Sequence, residues 1–279
     1  VAMTAAAMST TSETHPQRNG DRYIGNPEKS FLAVFDGAGG HADGEEAALA
    51  AQTCVLAMTR NIPAFAVTEA ALEWMRGILD GAHAAVVKRR SELGLRNDSM
   101  IATATCCLAV PCIDGAVHLV HGQVGDSRGY IYRAGRLMSV TRDQSHLQDI
   151  PGIQATLSAI ASTEDIEKLS LQEQFAWNYR AVVSSMLGAT SYMPQCGTVQ
   201  LYDGDLVILM SDGVSDTLTD AEMAVYIALA LSARQDLATI TDTLVIAARQ
   251  RNRMRHVRTK PDDKTVIVAY VTITPALQK

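Results

Sequence analysis

The sequence of 279 residues is poor in cysteine, in aromatic residues and in long apolar runs, and it has no surplus of basic residues. Its five cysteines include no C-x-x-C pair, which argues against a disulfide framework or a zinc site and favours a reducing cytoplasm. No stretch approaches the ~20 apolar residues of a membrane helix. The formal net charge of −6 argues against a nucleic-acid surface, because phosphate contacts come from lysine and arginine. We therefore expect neither a nucleic-acid nor a membrane partner.

Hydrophobic residues make up 47% of the chain and aromatic residues only 5%, so the core must be built from alanine, valine, leucine and isoleucine. Residues 1–14 are rich in alanine, serine and threonine and have neither a basic start nor a long apolar run. We expect a flexible N-terminal tail there rather than a secretory signal. Residues 15–275 are expected to form a single domain, located in the cytoplasm.

Apolar periodicity predicts that helices come in pairs and that strands cluster in the middle and at the end of the chain. Helices are predicted at four places, over residues 43–60, 69–93, 220–233 and 235–251. Strands are predicted over residues 31–35, 102–110, 117–124 and 265–273, with hairpins over 130–140 and 198–210. Because strands and helices do not alternate, we expect an α+β fold of antiparallel sheets with helices layered on them. Residues 144–180 are expected to form either a flap over a site or a segment that only extends over the surface.

Aspartates recur in tight turns where apolar strands end or begin, at Asp36, Asp126, Asp212 and Asp262, and Asp21 is a fifth acidic candidate. A single aspartate beside glycine usually indicates only a turn. Four at strand ends are more informative, since strands of one sheet can bring their ends together. Clustered carboxylates repel one another and shift their pKa values, and divalent cations remove that cost. An all-oxygen ligand set favours Mg²⁺ or Mn²⁺.

Two such ions can share a water, lower its pKa and promote in-line attack of the resulting hydroxide on a phosphoryl group. This chemistry needs carboxylates and no protein nucleophile. Gly37 and Gly213 allow the backbone to approach closely, so that a carbonyl oxygen can also bind an ion.

Seven motifs follow one another along the chain: DGAGGH at 36–41 with GE at 44–45, GDSR at 125–128, GRL at 135–137, TRDQS at 141–145, GD at 204–205, SDG at 211–213 followed by Asp216, and DDKTV at 262–266. Their order resembles the bacterial branch of the metal-dependent protein phosphatase 2C family over residues 15–272. The resemblance implies a four-layer α-β-β-α sandwich of two antiparallel sheets flanked by helices, with a flap at about 144–180. It also implies hydrolysis of phosphoserine and phosphothreonine in proteins.

The resemblance implies a role for each matched residue. Asp36 would bridge two ions, and the carbonyl of Gly37 would bind one of them. Asp212 and Asp262 would be terminal ligands, and Asp21 would hold metal-bound water.

A third ion would lie at Asp126 and Asp212. The implied cofactors are two or three Mg²⁺ or Mn²⁺ ions. The implied partner is a phosphorylated protein substrate, on which the enzyme would oppose a serine/threonine kinase. We expect the chain to be a monomer.

Some residues depart from the family pattern. Ala38 stands where eukaryotic members carry a histidine proposed as general acid, so a metal-bound water is the expected proton donor, with His41 as the next candidate. The family's phosphate-binding arginine corresponds to Pro16. Arg18 either replaces it or is a solvated surface residue. Asp263 replaces a usual asparagine.

Three other functions deserve comparison. Residues 37–42 fit the G-x-G-x-x-A dinucleotide pattern, but no second strand ending in an acid follows ~20 residues later. Cys54 and Arg60 have a cysteine-phosphatase spacing but lie in a predicted helix without a glycine-rich loop. The main alternative is a catalytically weakened family member that binds phosphoproteins or regulates. Ala38, Pro16 and Gly20, the last in place of the family's usual acidic or amide residue beside Asp21, favour this alternative. The retained carboxylates argue against it, because buried charges without a metal are costly.

Overall fold

A computed structural model of the chain describes residues 1–38, 42–95, 99–147, 150–161, 163 and 166–274. The strands are β1 (Ala2–Thr10), β2 (Asp21–Asn26), β3 (Phe31–Ala38), β4 (Ile101–Ala102), β5 (Ala104–Pro111), β6 (Val117–Val124), β7 (Arg128–Arg133), β8 (Arg136–Ser139), β9 (Gln195–Leu201), β10 (Leu206–Met210) and β11 (Lys264–Thr272). The helices are α1 (Ala42–Met58), α2 (Thr68–Glu92), α3 (Ile153–Ala161), α4 (Leu171–Tyr179), α5 (Asp212–Ser215), α6 (Asp220–Ser232) and α7 (Leu237–Asn252).

The strands form two antiparallel sheets, in the orders β1-β11-β10-β7-β8 and β2-β3-β5-β6-β9, and β4 pairs with β3. Strand β3 shows how the layers pack. Leu32 and Val34 point into the core between the two sheets, and Phe31 and Phe35 point into the core under α1 and α2. Helices α6 and α7 cover the outer face of the other sheet. The predicted α+β architecture of two antiparallel sheets with flanking helices is confirmed.

The N-terminal segment differs from its prediction. Residues 2–10 are not a flexible tail but strand β1, which pairs along its whole length with β11. Alternate residues decide this placement, because Met3 is buried between the sheets and Ala5 and Ala7 pack partly against the same core. Alanine has a weak intrinsic preference for strands. The strand therefore depends on its pairing partner β11, which lies at the other end of the sequence, and a local pattern cannot reveal that pairing.

The predicted hairpin over residues 198–210 is wrong, although both of its strands exist. Strand β9 pairs with β6, whereas β10 lies between β7 and β11 in the other sheet. The turn at Gly204 (φ +85°) therefore carries the chain from one sheet to the other. Arg133 fixes this crossing by donating two 2.7 Å hydrogen bonds to the carboxylate of Asp205. The predicted hairpin over 130–140 is confirmed as β7 and β8.

The segment between β8 and β9 contains α3 and α4, which share a small core of Ile160, Trp177 and Val257. Helix α4 begins with a capping box in which the Ser170 hydroxyl and the Glu173 carboxylate accept each other's backbone N–H groups. A flap role for residues 144–180 stays a prediction. Among the helices of the described ranges, none is both long and apolar enough to cross a lipid bilayer.

Candidate active site

Two candidate carboxylates come from neighbouring strands. Asp21 opens β2 and is paired in register with Asp36 near the end of β3. The backbone N–H of Asp21 donates to the Asn19 side chain at 2.9 Å, and that of Asp36 donates to the hydroxyl of Thr103 at 3.2 Å. Because β3 is buried along its apolar part, these contacts hold both aspartates at one edge of the sheet.

Asp21 is buried and only half satisfied. One carboxylate oxygen accepts hydrogen bonds from Ser211 (2.7 Å) and Thr265 (2.6 Å), and the other has no hydrogen-bond partner among the residues that the structure describes. The pKa of Asp21 is raised to about 7, chiefly by burial and also by the charges of Asp263 and Asp262, while the two hydroxyls act to lower it. A positive charge beside this carboxylate would remove the cost of ionising it.

Asp212 and Asp262 lie at the matching edge of the second sheet. Asp212 opens α5 directly after β10, and Asp262 precedes β11. Gly213 is required between them, since a Cβ there would overlap the backbone carbonyl of Asp263. One oxygen of Asp212 is buried, and no group in the described part of the chain forms a hydrogen bond with it. Burial, and then the charge of Asp212, raises the pKa of Asp262 to about 6.

Asp126 lies in the turn that joins β6 to β7. Gly125 precedes it with a φ of +100°, a conformation that glycine adopts without strain. Gln144 holds this turn by accepting the Gly125 N–H at 2.7 Å and donating its own N–H to the Gly125 carbonyl at 3.1 Å. Burial, and then the charge of Asp212, raises the pKa of Asp126 well above its ordinary value.

The five predicted carboxylates therefore act on one another. Burial raises the pKa of Asp36 well above its ordinary value, and four negative charges add to this effect, those of Asp21, Asp212, Asp262 and Asp126. A cavity of about 490 Å³ opens onto the cluster. Its lining includes the predicted residues Arg18, Asp36, Gly37, Asp126, Asp212 and Asp262.

Gly37 allows a close backbone approach in this cavity. A Cβ at Gly37 would overlap the carbonyl of Gly44 in α1, so only glycine fits there. Ala38 contributes a methyl group to the lining and no proton donor. His41, the other candidate for that role, lies outside the described residues. Arg18 is exposed at the cavity wall, and its binding of phosphate stays a prediction.

Lys260 was missed by the sequence analysis. Its ammonium contacts the carboxylate of Asp212 and lies 3.5 Å from Asp216 and 3.8 Å from Asp262. Burial lowers the pKa of Lys260, but the surrounding carboxylates outweigh burial and hold it well above its ordinary value. The only signal was its position two residues before Asp262. A search for carboxylates alone passes over it.

Asp216 joins this cluster to the start of the predicted flap. Burial would raise the pKa of Asp216, yet Lys260, Arg128 and Arg180 hold it well below its usual range. Arg128 also donates to Asp143 at 2.6 Å. Arg128, Asp143, Arg180 and Asp216 line a neighbouring cavity of about 530 Å³, which shares Asp126 with the first cavity, and their opposite charges alternate along its wall.

Asp263 has a positioning contact. Its two carboxylate oxygens accept the backbone N–H groups of Ser12 and Gly20, each at 2.6 Å. The aspartate thus clamps both ends of the loop that carries Arg18. An asparagine could accept only one of these two bonds, since its other terminal atom is a donor.

Comparison with known proteins places this arrangement in a family. The sequence model described as Protein phosphatase 2C matches residues 16–255. The serine/threonine protein phosphatase PstP of Mycobacterium tuberculosis is 28% identical over 193 residues, which are 68% of this chain and 32% of that protein. The chain thus spans about a third of the length of the curated relatives it matches.

Solved structures share the fold. The catalytic domain of PstP in complex with two manganese ions aligns with a TM-score of 0.72 at 22% identity, covering 98% of this chain and 99% of that one. Stp1, a serine/threonine phosphatase of Staphylococcus aureus, aligns with a TM-score of 0.72 at 20% identity, covering 98% and 96%. With a family match over most of its length, the chain belongs to the protein phosphatase 2C family.

Proposed function

We propose that this protein is a metal-dependent phosphatase that hydrolyses phosphoserine and phosphothreonine in other proteins. The carrying observation is a cluster of five buried or half-buried aspartates, four of which line one cavity. Among the residues that the structure describes, Asp21 and Asp212 each have a buried carboxylate oxygen without a hydrogen-bond partner. Unpaired buried carboxylate oxygens are costly. A bound cation gives them a partner.

The donor set fits hard divalent cations. The candidate ligands are oxygens, and such a set favours Mg²⁺ or Mn²⁺. The manganese-bound structure of PstP supports two ions, and Asp126 with Asp212 would serve a third. When bound, the ions would activate a water for in-line attack on phosphorus and neutralise charge on the phosphoryl oxygens. The residues that would hold them are Asp21, Asp36, Asp126, Asp212, Asp262 and the carbonyl of Gly37.

The protein's own groups orient this site. Ser211 and Thr265 fix the Asp21 carboxylate through two short hydrogen bonds. Asp263 holds the loop of Arg18 at the cavity, where the guanidinium could pair with a substrate phosphate. Ala38 offers no proton, so the leaving alkoxide must take its proton from a group other than this side chain.

The wider setting is part of the proposal. The substrate would be a phosphorylated protein whose phosphate is placed by a serine/threonine kinase, so the enzyme would serve bacterial-type signalling as a monomer. All five cysteines are free thiols, which supports a reducing compartment such as the cytoplasm.

The test measures phosphate release from a phosphothreonine peptide with Mn²⁺ and then with a chelator. We expect turnover with the metal and none with the chelator. Asp36→Asn should lower the rate at least about 100-fold, since metal electrostatics supply several kcal/mol of transition-state stabilisation. Asp242→Asn, on the exposed side of α7, is the matched control and should keep the rate. No turnover at any divalent ion concentration would refute the enzyme, and a preserved rate in Asp36→Asn would refute the site.

A catalytically weakened, phosphoprotein-binding member is the second candidate. The contact of Lys260 with Asp212 favours it, because an internal cation already neutralises part of the cluster. Binding of the phosphothreonine peptide with no hydrolysis in Mn²⁺ would support this alternative.

A further inference from the structure

A second group of potential metal ligands lies in the turn between β5 and β6. The turn is closed by backbone hydrogen bonds from Cys112 N–H to the Ala116 carbonyl (2.9 Å) and from Gly115 N–H to the Cys112 carbonyl (3.0 Å). This turn and Asp126 are at opposite ends of β6. With eight residues in β6, rising ~3.3 Å each, the two places are about 25 Å apart.

Three different ligand types converge at this turn. The Cys112 sulfur, a carboxylate oxygen of Asp114 and a ring nitrogen of His118 all lie within 4.8 Å of one another. His118 Nδ1 is buried and has no hydrogen-bond partner within the described ranges. The Cys112 thiol has one long hydrogen bond, a 4.0 Å contact with the carbonyl of Val110, among the described residues. The sulfur and the nitrogen are therefore poorly satisfied by the protein itself.

The charge around the turn favours a cation. Asp114 is exposed, and Glu69 in the first turn of α2 acts on the same thiol. Within the described part of the chain, no lysine or arginine forms an ion pair with Asp114 or Glu69.

We propose that Cys112, Asp114 and His118 bind one zinc ion at a site separate from the catalytic cavity. Sulfur, nitrogen and oxygen donors together suit zinc, whereas Mg²⁺ and Mn²⁺ prefer oxygen alone. Three protein ligands leave a fourth position for water. The sequence argued against zinc because it has no C-x-x-C pair. The C-x-D-x-x-x-H spacing becomes a ligand set only when the hairpin folds it together.

The test uses Co²⁺ as a spectroscopic substitute for zinc on the purified full chain. Excess Mg²⁺ keeps the oxygen-only cavity occupied. We expect a sulfur-to-cobalt charge-transfer band that saturates at one equivalent of Co²⁺ and is displaced by zinc. Cys112→Ser should lose the band. Cys54→Ser is the matched control, since Cys54 is also a half-exposed free thiol, and it should keep the band.

Two further variants guard against a folding artefact. Asp114→Asn changes an exposed side chain in the turn and should weaken Co²⁺ binding by about tenfold or more, with His118→Ala at least as severe. Zinc should raise the melting temperature of the wild-type chain and leave that of Cys112→Ser unchanged. Absence of the band in the wild-type chain, or its persistence in Cys112→Ser, would overturn the proposal. Neither result bears on phosphatase activity, so this site and the proposed function fail independently.

Discussion

Replacing Lys260 with methionine tests the electrostatic account of the active site. The ammonium contacts Asp212 and lies within 4 Å of Asp216 and Asp262. Breaking a buried ion pair by removing one partner costs about 3–5 kcal/mol, because the remaining charge is left uncompensated. We therefore expect the free energy of unfolding of the metal-free protein to fall by about 3 kcal/mol.

Divalent ions should reduce this loss. If the carboxylates around Lys260 bind the ions, bound metal supplies the positive charge that the variant lacks. If metal binding reduces the stability difference between Lys260→Met and the wild-type chain by about 1.4 kcal/mol, the variant binds the metal about tenfold more tightly than the wild-type chain. The variant should thus be less stable without metal and bind Mn²⁺ more tightly.

Urea unfolding in chelator and in saturating Mn²⁺ measures both stabilities, and a Mn²⁺ titration measures the affinity. Lys88→Met is the control, since Lys88 forms an exposed 3.9 Å pair with Glu92. Such pairs contribute about 0–1 kcal/mol. If Lys260→Met loses the same stability with and without Mn²⁺, then Lys260 does not compensate the metal-binding carboxylates and the argument fails.

Two further predictions concern the cavity. Burial raises the pKa of Asp21 to about 7, above its unfolded pKa of about 4. The contribution of Asp21 to the stability of the metal-free protein is therefore fully present below the unfolded pKa and is lost as pH rises through about 7. Urea unfolding between these limits should show the loss, and Asp21→Asn should flatten the pH dependence of the free energy of unfolding. Gly37→Ala should lower the free energy of unfolding by about 1–3 kcal/mol through overlap with the Gly44 carbonyl, and it should lower phosphatase activity. Gly25→Ala is the control, because a Cβ there meets nothing within 4 Å, and it should change neither quantity. Equal melting temperatures of the two variants would contradict the close packing at Gly37.

Local pattern was sufficient for the parts of the fold that depend on near neighbours. The apolar run of β3 predicted a buried strand, and both of its faces are covered. The turn after it predicted an aspartate at a sheet edge, which is where Asp36 lies. Such features follow from residue spacing alone. A strand that is buried on both faces is a nearly continuous run of apolar residues, so its polar side chains lie where the run ends.

Features that depend on distant partners were beyond the sequence analysis. Strand β1 needed β11 at the opposite end of the chain. Strands β9 and β10 have a turn between them but pair in different sheets. Lys260 was passed over because its role comes from Asp212, which is 48 residues away. In each case the deciding contact joins two segments that are too far apart in the sequence for one local pattern to include both.

The N-terminal strand, where the sequence predicted a flexible tail, supports the candidate active site. Asn19 donates a hydrogen bond to the hydroxyl of Ser9 in β1 (2.8 Å), and the Ser9 and Thr265 hydroxyls are 2.8 Å apart. Thr265 donates to Asp21 at 2.6 Å, so Ser9 must be the donor to Thr265. Since one chain of donors thus runs from Asn19 to the buried carboxylate of Asp21, β1 helps to fix the orientation of a candidate metal-site residue through Thr265.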